Sequence, residues 1–292
     1  MDLTEGRIEA NGLLFGYLEA GPVDGPLALC LHGFPDSAWT WRHLLADLAD
    51  AGYRAVAPFL RGYEPTEVPA DGRYFLGDLV ADACALHDSL GGDERAVLIG
   101  HDWGAVATYP VLAFAPERWR RAVTMAIPPT GLFMNALLTS HEQQKRSWYM
   151  FFFQHPLADM IVPADDLAFI DRLWADWSPG FSSPEDLEYT KECLRAPANL
   201  TAALGYYRSM LGGAPPPADI AAQQAAAVAP STVPTLYLHG ANDGCCGIEV
   251  ATGAEAALPP GSEAVIVPDA GHFLQLEKPK EVNDRVLQFL EP

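Results

Sequence analysis

Short, continuous apolar runs alternate with longer helix-patterned stretches through the first third of the chain. Leu27-Ala28-Leu29-Cys30-Leu31 is apolar throughout, as a parallel strand buried on both faces would be. Tyr53 to Phe59, Ala96-Val97-Leu98-Ile99 and Ala122 to Ile127 read as further strands. Between them, Ala38 to Leu48 suits a helix. Leu76 to Leu90 carries apolar residues at helical spacing with aspartates opposite, and Gly91-Gly92 ends it. Ala105 to Ala115 has no glycine and one proline, and Pro116 stands just beyond its end. This strand–helix alternation predicts an α/β fold built on a doubly wound, mostly parallel sheet.

The pattern breaks after Pro128-Pro129. From about Gly131 to Val228 no buried-strand run occurs, and the segment is rich in aromatics and helix formers, among them Trp148, Tyr149, Phe153, Trp174, Trp177, Tyr206 and Tyr207. Strand signals return at Thr235-Leu236-Tyr237-Leu238 and Ala264-Val265-Ile266-Val267, and a helix is expected from about Lys280 to Leu290. The economical organisation is a core in two parts, residues 1–130 and 231–292, with a helical cap over 131–230 inserted between them.

Composition narrows the function classes. Of 292 residues, 49% are hydrophobic and 19% charged, enough to bury a large core. Lysine and arginine number 18 against 38 aspartates and glutamates, so 18 − 38 gives a net charge of −20. Such a surface repels nucleic acid and anionic membranes. The N-terminal residues lack a basic and apolar leader pattern, and no apolar stretch reaches membrane-spanning length. Five cysteines (Cys30, Cys84, Cys193, Cys245 and Cys246) are odd in number and irregular in spacing, which suits free thiols in a reducing cytoplasm. The vicinal pair Cys245-Cys246 reads as packing. No histidine pair has metal-ligand spacing with a carboxylate, so no metal site is expected.

Gly100-His101-Asp102-Trp103-Gly104 stands between the strand at Ala96–Ile99 and the following helix. The frame, glycine-x-nucleophile-x-glycine, is that of a nucleophile elbow with aspartate where serine usually sits. A nucleophile on such a turn takes a strained backbone, and a Cβ at either flank would crowd it. An aspartate there attacks saturated carbon, opening an epoxide or expelling a halide, and leaves an ester that water must release. That second step needs a base, and the base needs an orienting acid. Asp243 follows the strand ending in Leu236-Tyr237-Leu238-His239-Gly240, and His272 lies in the turn after Ala264–Val267, in the order nucleophile, acid, histidine. The position after Ala122–Ile127 holds Pro128-Pro129-Thr130 and no carboxylate, which favours Asp243 as the acid. The other histidines have poorer settings; His239, at a strand end before a glycine, looks structural. His32-Gly33-Phe34-Pro35 follows the first buried strand. Gly33 is expected to let the chain turn and Pro35 to fix it through a cis Phe34–Pro35 bond. In an elbow fold, backbone N–H groups of this loop (Phe34) and of the residue after the nucleophile (Trp103) make the oxyanion hole.

His32–Pro35, Gly100–Gly104, Asp243 and Gly271-His272-Phe273 together resemble the soluble epoxide hydrolases of the α/β-hydrolase superfamily, over nearly the whole chain. The resemblance implies an α/β-hydrolase fold and two cap tyrosines that hold the epoxide oxygen. Tyr149 to Pro156 is similar to the family's first tyrosine segment, and Tyr206-Tyr207-Arg208 to its second; alignment on Tyr-Arg selects Tyr207 over its neighbour Tyr206. In one place the chain departs from the family: Leu60 precedes Arg61-Gly62-Tyr63, where an aspartate is common. The implied reaction converts an epoxide and water to a vicinal diol through an ester on Asp102, without a cofactor. Phe34, Trp39, Trp103 and Phe153 are expected to line an apolar substrate pocket. The implied partners are a small hydrophobic epoxide and water, with neither nucleic acid nor membrane, and a homodimer stays open. Haloalkane dehalogenase, with the same elbow, is the alternative, although Phe34 stands where an amide is wanted and Trp148 is the only obvious second halide donor. A non-catalytic ligand-binding homologue is a more remote one, since all three triad members are present.

Overall fold

A computed structural model describes residues 3–291. Eight strands form one sheet: β1 (Thr4–Ala10), β2 (Leu13–Ala20), β3 (Leu27–Leu31), β4 (Arg54–Pro58), β5 (Val97–His101), β6 (Arg121–Met125), β7 (Thr235–Gly240) and β8 (Glu263–Val267). Their spatial order is β1-β2-β4-β3-β5-β6-β7-β8. From β3 to β8 every pairing is parallel, whereas β1 and β2 pair antiparallel with each other and β2 antiparallel with β4. The sheet is thus mostly parallel, as expected. Strands β3, β5 and β7 are buried along their whole length, which is why they read as unbroken apolar runs.

The sequence reading passed over the β1–β2 hairpin. Its signal is Asn11-Gly12, both at positive φ (47° and 73°), which makes a two-residue turn whose twist suits an antiparallel pair. β1 is largely solvent-exposed and so lacks the apolar run that marks the inner strands.

The predicted helices occur at Arg42–Asp50, Leu76–Ser89, Trp103–Phe114 and Pro279–Leu290. The segment from Ala38 begins with a 3-10 turn, Ala38–Trp41, before its helix. Between β6 and β7 the described residues form helices and turns without a strand. No helix among the described residues is long and apolar enough to cross a membrane.

The parallel order matters for chemistry. The carboxyl ends of β3, β5, β7 and β8 all lie along one edge of the sheet. The loops leaving those ends carry Phe34, Asp102, Asp243 and His272 respectively.

Candidate active site

Asp102 directly follows β5 and caps the helix Trp103–Phe114, with φ 50° and ψ −117°. A positive φ at a non-glycine residue is uncommon and costs conformational energy. The flanking glycines permit it through close approach and not through their own φ, since neither is among the residues at positive φ. A Cβ on Gly104 would collide with the Leu31 carbonyl, and one on Gly100 with the Gly104 carbonyl. The same holds for Gly33, which departs from the expected role of freeing a turn. Its φ is not positive, and a Cβ there would strike the Asp102 side chain beside the Trp103 backbone nitrogen. Gly33 thus lets the β3 loop touch the aspartate. The Phe34–Pro35 bond is cis. The Phe34 N–H donates to Asp102 Oδ1 at 2.7 Å, whereas the Trp103 N–H makes no bond to the carboxylate in this resting geometry.

The loops after β7 and β8 bring the other two groups together. His272 Nδ1 donates to Asp243 Oδ2 at 3.0 Å, and Nε2 points at Asp102 Oδ2, 3.6 Å away and too far for a direct hydrogen bond. Asp243 Oδ1 accepts the backbone N–H groups of Cys245 (2.7 Å) and Cys246 (2.8 Å). All three residues are buried. Burial works to raise the Asp243 pKa, but the facing imidazole and the N–H donors outweigh it and hold the carboxyl below its usual value. Burial likewise works to lower that of His272, yet the Asp243 and Asp102 carboxylates raise it to about 10. In the resting site the imidazole is therefore a cation between two anions.

Tyr149 and Tyr207 reach this space from above, on the helices Trp148–Phe152 and Pro197–Leu211. Their rings meet at 5.5 Å, and Tyr207 also packs on Phe34 (5.3 Å), Trp103 (5.2 Å) and Phe153 (5.2 Å). The Tyr207 hydroxyl is buried without a hydrogen-bond partner among the described residues; that of Tyr149 lies 3.4 Å from Cys245 Sγ. Burial raises both phenols well above their ordinary range, so both are neutral donors. Tyr206 faces away: its hydroxyl donates to the Arg61 carbonyl at 2.9 Å. Phe34, Trp103 and Phe153 share one aromatic cluster with the two tyrosines. Trp39 is half-buried and stacks on Tyr189 at 4.6 Å, outside that cluster. Two of the other histidines have structural partners. His32 Nε2 accepts the Leu60 N–H, and His239 Nδ1 lies 2.7 Å from the Tyr237 hydroxyl and 3.0 Å from the Ala126 carbonyl.

Sequence reasoning missed the residues that hold these loops in place. The Trp177 carbonyl, at the end of the helix Ala164–Trp177, accepts the N–H of Gly244 (2.9 Å) and of His272 (3.1 Å). The next residue, Ser178, accepts the Phe273 N–H at 3.1 Å and donates to Glu277 Oε1 at 2.6 Å, while Glu277 Oε2 accepts the Gly271 N–H at 2.8 Å. One turn earlier, Trp174 Nε1 donates to the Pro35 carbonyl at 2.8 Å. A single helix end therefore braces the loops that carry Asp243, His272 and Phe34. No spacing in the sequence announces it, because most of the partners are backbone groups from three remote segments. The largest surface hollow described, about 990 Å³ beside Tyr53, Arg120 and Leu290, lies at the opposite edge of the sheet and contains none of these groups.

An aspartate on a strained strand–helix turn, with an acid–histidine pair on later strand ends of a mostly parallel sheet, defines an α/β hydrolase. The chain belongs to the alpha/beta hydrolase family, which matches residues 28–285. Human epoxide hydrolase 4 is 31% identical over 98% of this chain and 78% of its own length. Epoxide hydrolase A of Mycobacterium tuberculosis is 30% identical over 98% and 97%. An epoxide hydrolase of Bacillus megaterium, solved in complex with an inhibitor, superposes with a TM-score of 0.82 at 27% identity over 98% of this chain and 99% of that one.

Proposed function

We propose that this protein hydrolyses epoxides to vicinal diols through a covalent ester on Asp102. The observation that carries the reading is the enclosure of the Asp102 carboxylate with two neutral phenols, one of them partnerless, in a single aromatic cluster. Asp102 attacks one epoxide carbon, with Oδ2 as the attacking oxygen because Oδ1 is held by the Phe34 N–H. Tyr149 and Tyr207 hydrogen-bond the epoxide oxygen and give it a proton as the ring opens. Proton donation of this kind contributes about 10²- to 10⁴-fold.

The second step follows from electrostatics. Forming the ester removes the negative charge facing His272 Nε2, and with it one of the two groups that hold the imidazole protonated. His272 then gives its proton up to restore the tyrosine that protonated the epoxide oxygen, and as a neutral base it accepts one from water, which attacks the ester carbonyl. The bond from the carbonyl carbon to Oδ2 breaks, and Oδ2 leaves in the diol with the proton of the new carboxyl, so that Asp102 is a carboxylate again. Asp243 keeps the ring oriented and balances its returning charge. The N–H groups of Phe34 and Trp103 stabilise the tetrahedral oxyanion, a contribution of roughly 3–4 kcal/mol per donor in comparable sites. Phe34, Trp103 and Phe153 supply the apolar walls for a hydrophobic epoxide. No step calls for a cofactor. All five cysteines are free, which supports a reducing, cytoplasmic setting.

The dehalogenase alternative finds little support, because Trp148 is 45% exposed and packs on Phe152 and Phe169, away from the elbow. The test is turnover of styrene oxide beside a chloroalkane and a bromoalkane. Diol formation without halide release, lost in D102N, is expected. Halide release without epoxide turnover overturns the reading.

A further inference from the structure

Beside the proposed nucleophile and base lies a thiol for which hydrolysis has no use. A carboxylate oxygen of Asp102, Sγ of Cys245 and a ring nitrogen of His272 all lie within 4.8 Å of one another. The three residues are far apart in sequence, on the loops after β5, β7 and β8, so no local spacing betrays them. All are buried. Two polar atoms in this space, His272 Nε2 itself and the Tyr207 hydroxyl, lack hydrogen-bond partners among the described residues. The space is thus lined by polar atoms, and it is not an apolar void.

We propose that Asp102, Cys245 and His272 form an inhibitory site for a single thiophilic divalent cation, Zn²⁺ or Cd²⁺. The donor set is one oxygen, one sulfur and one nitrogen, which suits zinc and cadmium and disfavours magnesium or calcium. Tetrahedral zinc, with bonds of about 2.0–2.3 Å, sets its ligand atoms roughly 3.5 Å apart. The Asp102–His272 edge already spans 3.6 Å. With all three atoms within 4.8 Å of one another, Sγ needs to close by no more than roughly 1.3 Å (4.8 − 3.5), giving up its weak contact with the Tyr149 hydroxyl, and the fourth position is left for water. On binding, the thiol and the imidazolium each release a proton to solvent. Carboxylate and thiolate then cancel the charge of the ion, so the buried complex is neutral, and the net charge of −20 draws cations towards the molecule. The bound ion takes both the attacking carboxylate and the base. Cys245 thereby makes the site a point of metal inhibition, while the resting enzyme needs no metal.

Inhibition rests on the proposed role of Asp102, but the binding does not, and the two are measured separately. Isothermal calorimetry of the full chain with ZnCl₂ should show one ion bound per chain with proton release. Co²⁺ should give a thiolate-to-cobalt charge-transfer band in the near ultraviolet. C245A should lose the band and weaken zinc binding by at least about tenfold, whereas C246S should retain both. C245S, which keeps a hydrogen-bonding group beside Tyr149 but is a poor zinc ligand, serves if C245A does not fold. Styrene oxide turnover, normalised to each protein's own metal-free rate, should be inhibited by Zn²⁺, restored by chelator, and resistant in the Cys245 variants. Equal zinc affinity in the native protein and C245A or C245S, or a charge-transfer band that disappears in C246S alone, overturns the proposal. If no epoxide is turned over, calorimetry and the cobalt spectrum still decide it.

Discussion

Tyr206 and Tyr207 are adjacent on one helix, and their hydroxyls have opposite fates. Tyr206 satisfies the Arg61 carbonyl, whereas the hydroxyl of Tyr207 has no partner among the described residues and lies within the field of the Asp102 carboxylate. A lost buried hydrogen bond costs about 0.5–1.5 kcal/mol, while removing an unpaired hydroxyl costs little or nothing. Y206F should therefore lower stability in a denaturant titration by about 1 kcal/mol and largely spare turnover. Y207F should hold its stability and lose turnover by about 10²-fold or more. The reverse assignment of effects would exchange their roles. His272 holds a charge that depends on its two carboxylate neighbours. Its pKa of about 10 rests partly on the Asp102 charge, so in D102N, a neutral stand-in for the ester, imidazole NMR titration should fall towards 6.5. Because the folded value lies above the ordinary one, the ion pairs stabilise the fold fully below about pH 6.5, and this contribution fades as pH rises through about 10. In D102N it should fade at lower pH. An unchanged titration in D102N would remove the electrostatic basis of the second step. At this scale the sequence was informative wherever chemistry demanded a residue type. The elbow glycines, the aspartate and the acid–histidine order are legible because few substitutes fit, whereas the choice between Tyr206 and Tyr207 rested on resemblance alone.

The element that most shapes the site is the end of the helix Ala164–Trp177. Through the Trp177 carbonyl, Ser178 and the Trp174 indole, it bonds the loops that carry Asp243, His272 and Phe34. S178A removes the acceptor of the Phe273 N–H and the donor to Glu277, leaving a buried N–H unpaired at a cost of about 1–3 kcal/mol. We expect S178A to lower both stability and kcat, the latter by loosening the His272 loop, with KM less affected. Thermal unfolding and steady-state kinetics check this; a stability loss with kcat unchanged would show that the brace is structural only. The helix itself was legible as part of an aromatic, helix-rich stretch, but its function was not. The Trp177 carbonyl carries no residue identity, and the Trp174 and Ser178 side chains grip backbone groups of remote loops, so the brace leaves no spacing in the sequence. The β1–β2 hairpin is the opposite case. Asn11-Gly12 marks it plainly, and the alternation around it is weak only because β1 faces solvent on most of its length.

At the scale of the molecule, the parallel sheet places the ends of β3, β5, β7 and β8 side by side, so that loops separated by tens of residues meet at one point. The strand order is what makes Asp102, Asp243 and His272 neighbours. Strand positions were readable from apolar runs. Their spatial order was expected through the fold class and not through any residue. Helical segments between β6 and β7 cover the site, and Asp102, His272, Tyr149 and Tyr207 are all at least nine-tenths buried. An enclosed carboxylate of this kind favours the proposed ester intermediate, which waits for one directed water. A single turnover of styrene oxide by excess enzyme in H₂¹⁸O tests it most directly, with the peptide containing Asp102 recovered and weighed by mass spectrometry. Asp102 should carry solvent ¹⁸O while the first diol released carries an unlabelled oxygen from the enzyme. A diol labelled from solvent in the first turnover, with Asp102 unlabelled, would contradict the account.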